Sequence, residues 1–165
     1  MIFLLLRLAY ASSITFVGGV LLPTAYVKPA GSSVGFAPET LGGGALVQFR
    51  MTPGALFEWG ALYVKRGYQG VASTVTMPFL EFPALLRFYV LPSATIGFGG
   101  YYGYNLSGGN YDLGGVGSFA IRIDIAPFIA LVGDARYVLG LRNLSTTGVT
   151  TLNEFQGLTG IRFGL

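Results

Sequence analysis

Hydrophobic and polar residues alternate with a period of two along most of the chain. Between residues 76 and 90, for example, Phe82 and Leu86 fall on one face of an extended strand, and Glu81 and Arg87 fall on the other. Alternation of this kind is typical of a β-strand whose two faces meet different surroundings. The pattern predicts eight strands, over residues 13–22, 40–51, 55–66, 76–90, 94–106, 111–124, 127–142 and 154–165.

Short turns and longer connections separate these strands in alternation. The short turns contain Pro53-Gly54, Pro92-Ser93 and Ala126-Pro127. The longer connections fall near residues 23–39, 67–74, 107–110 and 143–153. Because short turns at one end and longer loops at the other characterise outer-membrane barrels, the order of connections predicts an antiparallel up-and-down barrel.

The charged residues of these strands gather on the face opposite the aromatic one. A charge that faces lipid near the middle of a bilayer costs about 2–4 kcal/mol, so the aromatic face is predicted to meet lipid. A soluble ligand-binding barrel would show the reverse, an apolar interior beneath a charged exterior. The predicted fold class is therefore all-β, an eight-stranded antiparallel up-and-down transmembrane β-barrel. Its predicted lumen charge network comprises Arg50, Glu58, Glu81, Arg87, Asp112, Arg122, Asp134, Arg136 and Arg162, and Arg66, Asp124 and Arg142 share the same face.

Aromatic residues mark both ends of the predicted lipid face. Tyrosines lie toward the long-loop ends of their strands, and phenylalanines lie toward the short-turn ends. Aromatic girdles at the two membrane interfaces are a feature of transmembrane barrels. The predicted girdle residues are Phe57, Trp59, Tyr63, Phe88, Tyr102, Tyr104, Tyr137 and Phe163.

The amino-acid composition excludes several kinds of catalytic and metal-binding site. Charged residues make up only 10% of the chain, against about 25% in ordinary soluble domains. Cysteine and histidine are both absent, so thiolate metal sites, cysteine nucleophiles and Ser-His-Asp catalysis are unavailable. No run of Lys or Arg suggests nucleic acid. We therefore predict no enzymatic activity, catalytic residue, cofactor or metal site.

The N-terminal region allows more than one interpretation. The uncharged stretch Leu8–Val27 is long enough for a transmembrane helix, but Gly18-Gly19 and Pro23 favour a strand. Residues 1–11 are apolar and end in a sequence that resembles a signal-peptidase site. They are predicted to be a signal-peptide remnant, followed by a single barrel domain over residues 12–165. The alternative is that they form the first element of the mature chain.

The segment Phe79–Val90, FLEFPALLRFYV, resembles the motif YLEIPLLLKYYF of the PorT-like outer-membrane β-barrel family. Weaker similarities lie at Ala61–Gly67, Tyr111–Gly115, Ala135–Asn143 and the closing strand Phe155–Leu165. The resemblance covers roughly residues 40–165, and the chain ends in Leu165 where the family more often has an aromatic residue. It implies a small barrel similar to the OmpA/OmpX class of eight-stranded barrels, and most members of the PorT-like family lack an assigned biochemical activity.

These observations predict a non-enzymatic integral outer-membrane protein of a Gram-negative bacterium, with both termini periplasmic. Its role would be structural, adhesive or accessory, with specificity carried by the outer loops. The alternatives are a narrow pore for small solutes, a lipid-modifying outer-membrane enzyme and a soluble ligand-binding barrel. The expected partners are outer-membrane lipid or lipopolysaccharide and another envelope protein.

The inward charges support two hypotheses. One is a structural ion-pair network that fills a lumen too narrow for a water channel. The other concerns Arg50, Glu58, Arg87, Arg122 and Arg162, which counting from the turns places near the periplasmic mouth. Four arginines against one glutamate there predict a site for an anion or an acidic partner segment.

Pro83 stands inside a predicted strand, where it removes one hydrogen-bond donor from the ladder. A β-bulge is therefore expected at Pro83. The bulge would turn the side chain of Glu81 toward the lumen.

Overall fold

The computed structural model describes residues 13–27, 40–69, 74–141 and 149–165. They form eight antiparallel strands that pair in chain order, and the last strand pairs with the first to close a barrel. The strands are β1 (Ser13–Val27), β2 (Thr40–Thr52), β3 (Ala55–Gln69), β4 (Thr74–Leu91), β5 (Ala94–Asn105), β6 (Tyr111–Ala126), β7 (Ile129–Gly140) and β8 (Val149–Gly164). The predicted fold class is confirmed. Across the described ranges, no helix is long and apolar enough to cross a membrane.

The N-terminal strand is longer than predicted. β1 continues to Val27 and β8 begins at Val149, because the two strands pair along this whole length. Pro23 pairs with Glu154 and lies beyond Leu21, the last β1 residue paired with β2. Its missing N–H therefore need not interrupt a ladder on the β2 side. The predicted signal remnant, residues 1–11, lies outside the described residues.

The predicted bulge at Pro83 is wrong. Trp59 pairs with Ala84 and Leu62 pairs with Glu81, so the register between β3 and β4 is the same on both sides of the proline. Pro83 also pairs in register with Tyr101 on β5. The strand tolerates the lost donor without an extra residue, and Glu81 faces the lumen through ordinary alternation.

Glycines allow neighbouring strands to approach closely in this small barrel. A Cβ atom on Gly60 would lie 2.2 Å from the carbonyl oxygen of Ala45, and one on Gly99 would lie 2.0 Å from that of Ala84. No side chain fits at such distances. Glycine at these positions therefore permits the strong strand curvature that closure with eight strands requires.

Side chains divide between the two faces as the alternation predicts. Large apolar residues such as Phe98, Phe119 and Leu131 are exposed on the outer surface. The interior contains two apolar groups together with buried charged residues. The apolar groups are Val17, Leu21, Leu46, Leu62, Val64, Phe79 and Leu158, and Leu85, Tyr101, Val116 and Val138.

Candidate functional site in the barrel lumen

The predicted girdle residues lie on the outer surface. Trp59, Tyr63, Phe88, Tyr102, Tyr104, Tyr137 and Phe163 are exposed, and Phe57 is partly buried. Several rings contact aromatic neighbours on the same face. Tyr102 stacks on Tyr111 with ring centroids 5.9 Å apart, and Phe88 stacks on Phe98 at 5.6 Å. Such pairs stabilise adjacent strands beyond the burial of area alone.

One group of inward charges, the turn-side cluster, consists of Glu58, Arg87, Asp134 and Arg136. Arg87 forms an ion pair with Glu58 at 2.8 Å and one with Asp134 at 2.5 Å. Arg136 pairs with the same two carboxylates, at 2.8 Å and 2.7 Å. Two arginines thus share two carboxylates, and the four formal charges cancel.

Two neutral side chains complete the turn-side cluster. Gln48 donates a hydrogen bond to Glu58 Oε2 at 2.7 Å, and the Ser118 hydroxyl donates one to Asp134 Oδ1 at 2.6 Å. Both carboxylates therefore accept bonds from neutral donors as well as from guanidinium groups. Buried charges are tolerated when their remaining lone pairs are satisfied in this way.

A second group, the loop-side cluster, surrounds Arg66 nearer the other end of the barrel. Arg66 pairs with Glu81 at 2.7 Å, with Asp112 at 2.8 Å and with Glu154 at 3.3 Å. Its guanidinium also lies about 5 Å from the ring centroids of Phe79 (5.1 Å) and Tyr101 (5.0 Å). One arginine thus faces three carboxylates and two aromatic rings, an arrangement that favours a cation at this position.

Hydrogen bonds tie the loop-side carboxylates to neighbouring strands. The Tyr101 hydroxyl donates to Asp112 Oδ2 at 2.5 Å, and Gln156 Nε2 donates to Glu154 Oε1 at 2.7 Å. Neither cluster has the arrangement of a metal centre. Within the part of the chain that the structure describes, no group of three or more His, Cys, Asp or Glu side chains could hold a metal ion.

The turn-end mouth lies between the turn-side cluster and the short turns. We use this name for Arg50, Tyr89, Arg122, Asp124 and Arg162. Arg122 forms an ion pair with Asp124 at 3.0 Å, and the side chain of Asp124 is 64% exposed. Arg50 is exposed, and Arg162 is partly buried. The mouth is therefore solvated, unlike the two clusters above it.

The structure groups the predicted network residues differently from the sequence-based expectation. Arg50, Arg122 and Arg162 lie at the turn-end mouth, as counting from the turns predicts, because each stands within a few residues of the end of its strand. Glu58 and Arg87 were expected beside them. Their side chains are instead 1% exposed and ion-paired with the β7 charges.

Several cluster members were not in the predicted network. Glu154 and Gln156 share one face of β8, so the parity of Gln156 could have identified Glu154 as inward-facing. Arg66 was recognised as inward but not as the centre of a cluster, since strand offset cannot be read from alternation. The same parity assigns Tyr101 and Gln48 to the inward face of their strands. Arg142 lies outside the described residues.

Comparison with solved structures identifies the fold. The chain is similar to Neisserial surface protein A, with a TM-score of 0.63 and 13% identity over 93% of this chain and 97% of that one. It is also similar to Ail of Yersinia pestis (TM-score 0.53, 11% identity, 93% and 99% covered). A third similar structure is outer membrane protein W of E. coli (TM-score 0.53, 14% identity, 94% and 98% covered). No protein-family model matches the chain, and no curated protein sequence is significantly similar to it.

Proposed function

We propose that this chain is a non-enzymatic integral protein of the bacterial outer membrane whose lumen is closed to solutes. Its role would be structural, adhesive or accessory, and both termini would face the periplasm. The observation that carries the proposal is the burial of the two lumen clusters. Arg66, Arg87 and Arg136 are at most 1% exposed, although each carries a charge.

The two clusters span the lumen from wall to wall. The turn-side cluster draws residues from β2, β3, β4, β6 and β7. The loop-side cluster draws residues from β3, β4, β5, β6 and β8. An eight-stranded barrel has an interior just wide enough for side chains to fill it. Conduction needs a continuous hydrated path with sites that an ion can leave, and two successive ion-paired layers oppose such a path.

The apolar outer surface favours a barrel that is inserted in lipid over one that is dissolved in water. Exposed side chains such as Phe98, Phe119 and Ile121 form an apolar surface around the barrel, far larger than a soluble monomer normally exposes. Outer-membrane lipid or lipopolysaccharide would cover it. Membership of the PorT-like family would fit this assignment and rests on the Phe79–Val90 motif.

Specificity for an envelope partner would come from the long connections at the loop end. Of these, the connection between β5 and β6 is described, and it is closed by hydrogen bonds from Ser107 N and Gly108 N to Asn105 Oδ1. A lipid-modifying activity would need a nucleophile and a base near that rim. The lack of histidine removes the usual base.

Conductance in planar lipid bilayers tests the closed lumen. Purified protein that shows heat-modifiable gel migration, and is therefore folded, is expected to insert without discrete conductance steps. A general porin in the same bilayer gives the positive control for insertion. Reproducible steps from the folded protein would overturn the proposal and favour a narrow pore.

The orientation of the termini is tested with peptide tags at both ends of the chain. If a protease removes the tags only after the outer membrane has been permeabilised, the result supports periplasmic termini.

A further inference from the structure

The turn-end mouth brings together residues from four alternate strands. Arg50 comes from β2, Tyr89 from β4, Arg122 from β6 and Arg162 from β8. Tyr89, Arg122 and Arg162 line one small cavity, and Arg50, Tyr89 and Arg122 line the adjoining opening. Three arginines and one tyrosine thus line two neighbouring pockets, and Tyr89 and Arg122 line both of them.

Positive charge at the mouth exceeds the negative charge available to balance it. Asp124 is the carboxylate that pairs with Arg122 there, and it stands largely in solvent. Within the described ranges, Arg50 and Arg162 form no ion pair with a carboxylate. The turn-side cluster above cannot supply a counter-charge, because its two carboxylates are already shared by two arginines. Three arginines against one aspartate leave two positive charges in excess.

The excess charge indicates the chemistry of a ligand. The guanidinium group presents a planar fork of donors that matches the oxygens of phosphate or carboxylate. A phosphate monoester carries a charge of about −1.5 to −2 at neutral pH, which matches the excess, whereas one carboxylate would neutralise only half of it. The Nη2 of Arg122 donates to the carbonyl oxygen of Pro92 at 3.5 Å. Its Nε pairs with Asp124 at 3.0 Å, so Asp124 would compete with a phosphate for this guanidinium group.

We propose that the turn-end mouth is a binding site for a phosphate group, either inorganic phosphate or the phosphate monoester of a larger molecule. Arg162 and Arg122 contact the phosphate oxygens, Arg50 closes the solvent side, and the Tyr89 hydroxyl donates a hydrogen bond. The site lies below the turn-side cluster. The conductance result therefore does not bear on it.

Isothermal titration of the folded protein with inorganic phosphate tests the site. The protein is kept in a maltoside detergent, because a phosphocholine detergent would itself supply phosphate. Arg162→Gln is expected to weaken binding about tenfold or more, as the loss of one charge-assisted hydrogen bond predicts. Lys65→Gln removes a positive charge from the exposed outer face of β3 and is expected to leave the affinity unchanged.

A variant that is expected to raise the affinity for phosphate separates a binding role from a general loss of structure. Asp124→Asn removes the competing carboxylate and is expected to tighten phosphate binding. No phosphate binding by the unmodified protein would overturn the proposal. Equal weakening by Arg162→Gln and Lys65→Gln would do the same, as would weaker binding by Asp124→Asn.

Bilayer composition distinguishes the two sources of phosphate. The titration is repeated in nanodiscs of phosphatidylcholine alone and in nanodiscs that also contain phosphatidic acid, whose headgroup is a phosphate monoester. If phosphate binding is lost only in the nanodiscs that contain phosphatidic acid, the result supports a lipid headgroup as the ligand. Equal phosphate binding in both kinds of nanodisc supports soluble phosphate. Binding of a polyglutamate peptide that excess phosphate does not displace would overturn the proposal in favour of an acidic segment.

Discussion

Replacement of Arg87 by methionine should strongly destabilise the barrel. Arg87 is fully buried and contacts Glu58 at 2.8 Å and 3.0 Å and Asp134 at 2.5 Å. Two unit charges about 4 Å apart attract each other by about 4 kcal/mol at an effective dielectric constant near 20. Without Arg87, both carboxylates depend on Arg136 alone, and one buried negative charge is left uncompensated. Breaking a buried pair in this way costs about 3–5 kcal/mol, which is the expected fall in the free energy of unfolding.

A double-mutant cycle isolates the pairwise interaction between Arg87 and Glu58. Glu58→Gln alone leaves Arg87 and Arg136 to share Asp134, so it should also destabilise the barrel. The double variant Arg87→Met/Glu58→Gln removes one charge of each sign and keeps the contact of 2.7 Å between Arg136 and Asp134. We therefore expect it to cost about 2 kcal/mol less than the sum of the single variants, within the range typical of contacting residues.

Urea unfolding of the refolded protein in lipid bilayers measures these values by linear extrapolation. The single tryptophan, Trp59, lies on the outer face and reports the loss of its lipid contact. Arg122→Met is the matched control, because its ion pair is partly solvated and should contribute at most about 1 kcal/mol. Equal losses for Arg87→Met and Arg122→Met, or strict additivity in the cycle, would refute the reasoning.

Two further predictions concern the packing of the lumen and the lipid face. Gly97→Ala would place a methyl group 3.0 Å from Cγ of Arg87 and should cost about 1–3 kcal/mol in the same unfolding assay. Gly117→Ala, whose added Cβ meets no atom within 4 Å, should be nearly neutral, and equal losses would contradict the packing argument. Phe119→Arg puts a charge at the middle of β6 and should cost about 2–4 kcal/mol, against about 0–1 for Ile125→Arg near the turn end. No difference between these two positions would mean that the outer surface does not meet a bilayer.

The face on which each side chain lies could be predicted from the sequence. Because side chains alternate with a period of two, placing one residue of a strand on a face places all the others. Glu81 and Phe82 illustrate this, since one is fully buried and the other is exposed. The position of each inward side chain along the barrel axis could not be predicted in the same way. Arg87 meets Asp134 because of the offset between strands around the barrel, and alternation within one strand carries no information about that offset.

The loop end was predicted less well than the turn end for a related reason. Pro23 and the polar residues before Phe155 have the composition of a connection. Pairing of Pro23 with Glu154 extends both strands through this region, and Glu154 then reaches Arg66. Tertiary pairing overrides local composition here, so the partner of Arg66 on β8 depends on a contact between the first and last strands.

Stability alone does not explain why the lumen contains ion pairs. Well-packed apolar residues can replace a buried ion pair at little cost or with a gain, so an apolar interior would also hold the strands together. If both faces were apolar, however, a shift of one residue in strand pairing would still leave an apolar surface toward the lipid. In β4, such a shift would turn Glu81 and Arg87 toward lipid and Phe82 toward the lumen. Each exposed charge near the midplane would cost about 2–4 kcal/mol, so the charged lumen selects one register among those that the apolar residues would permit.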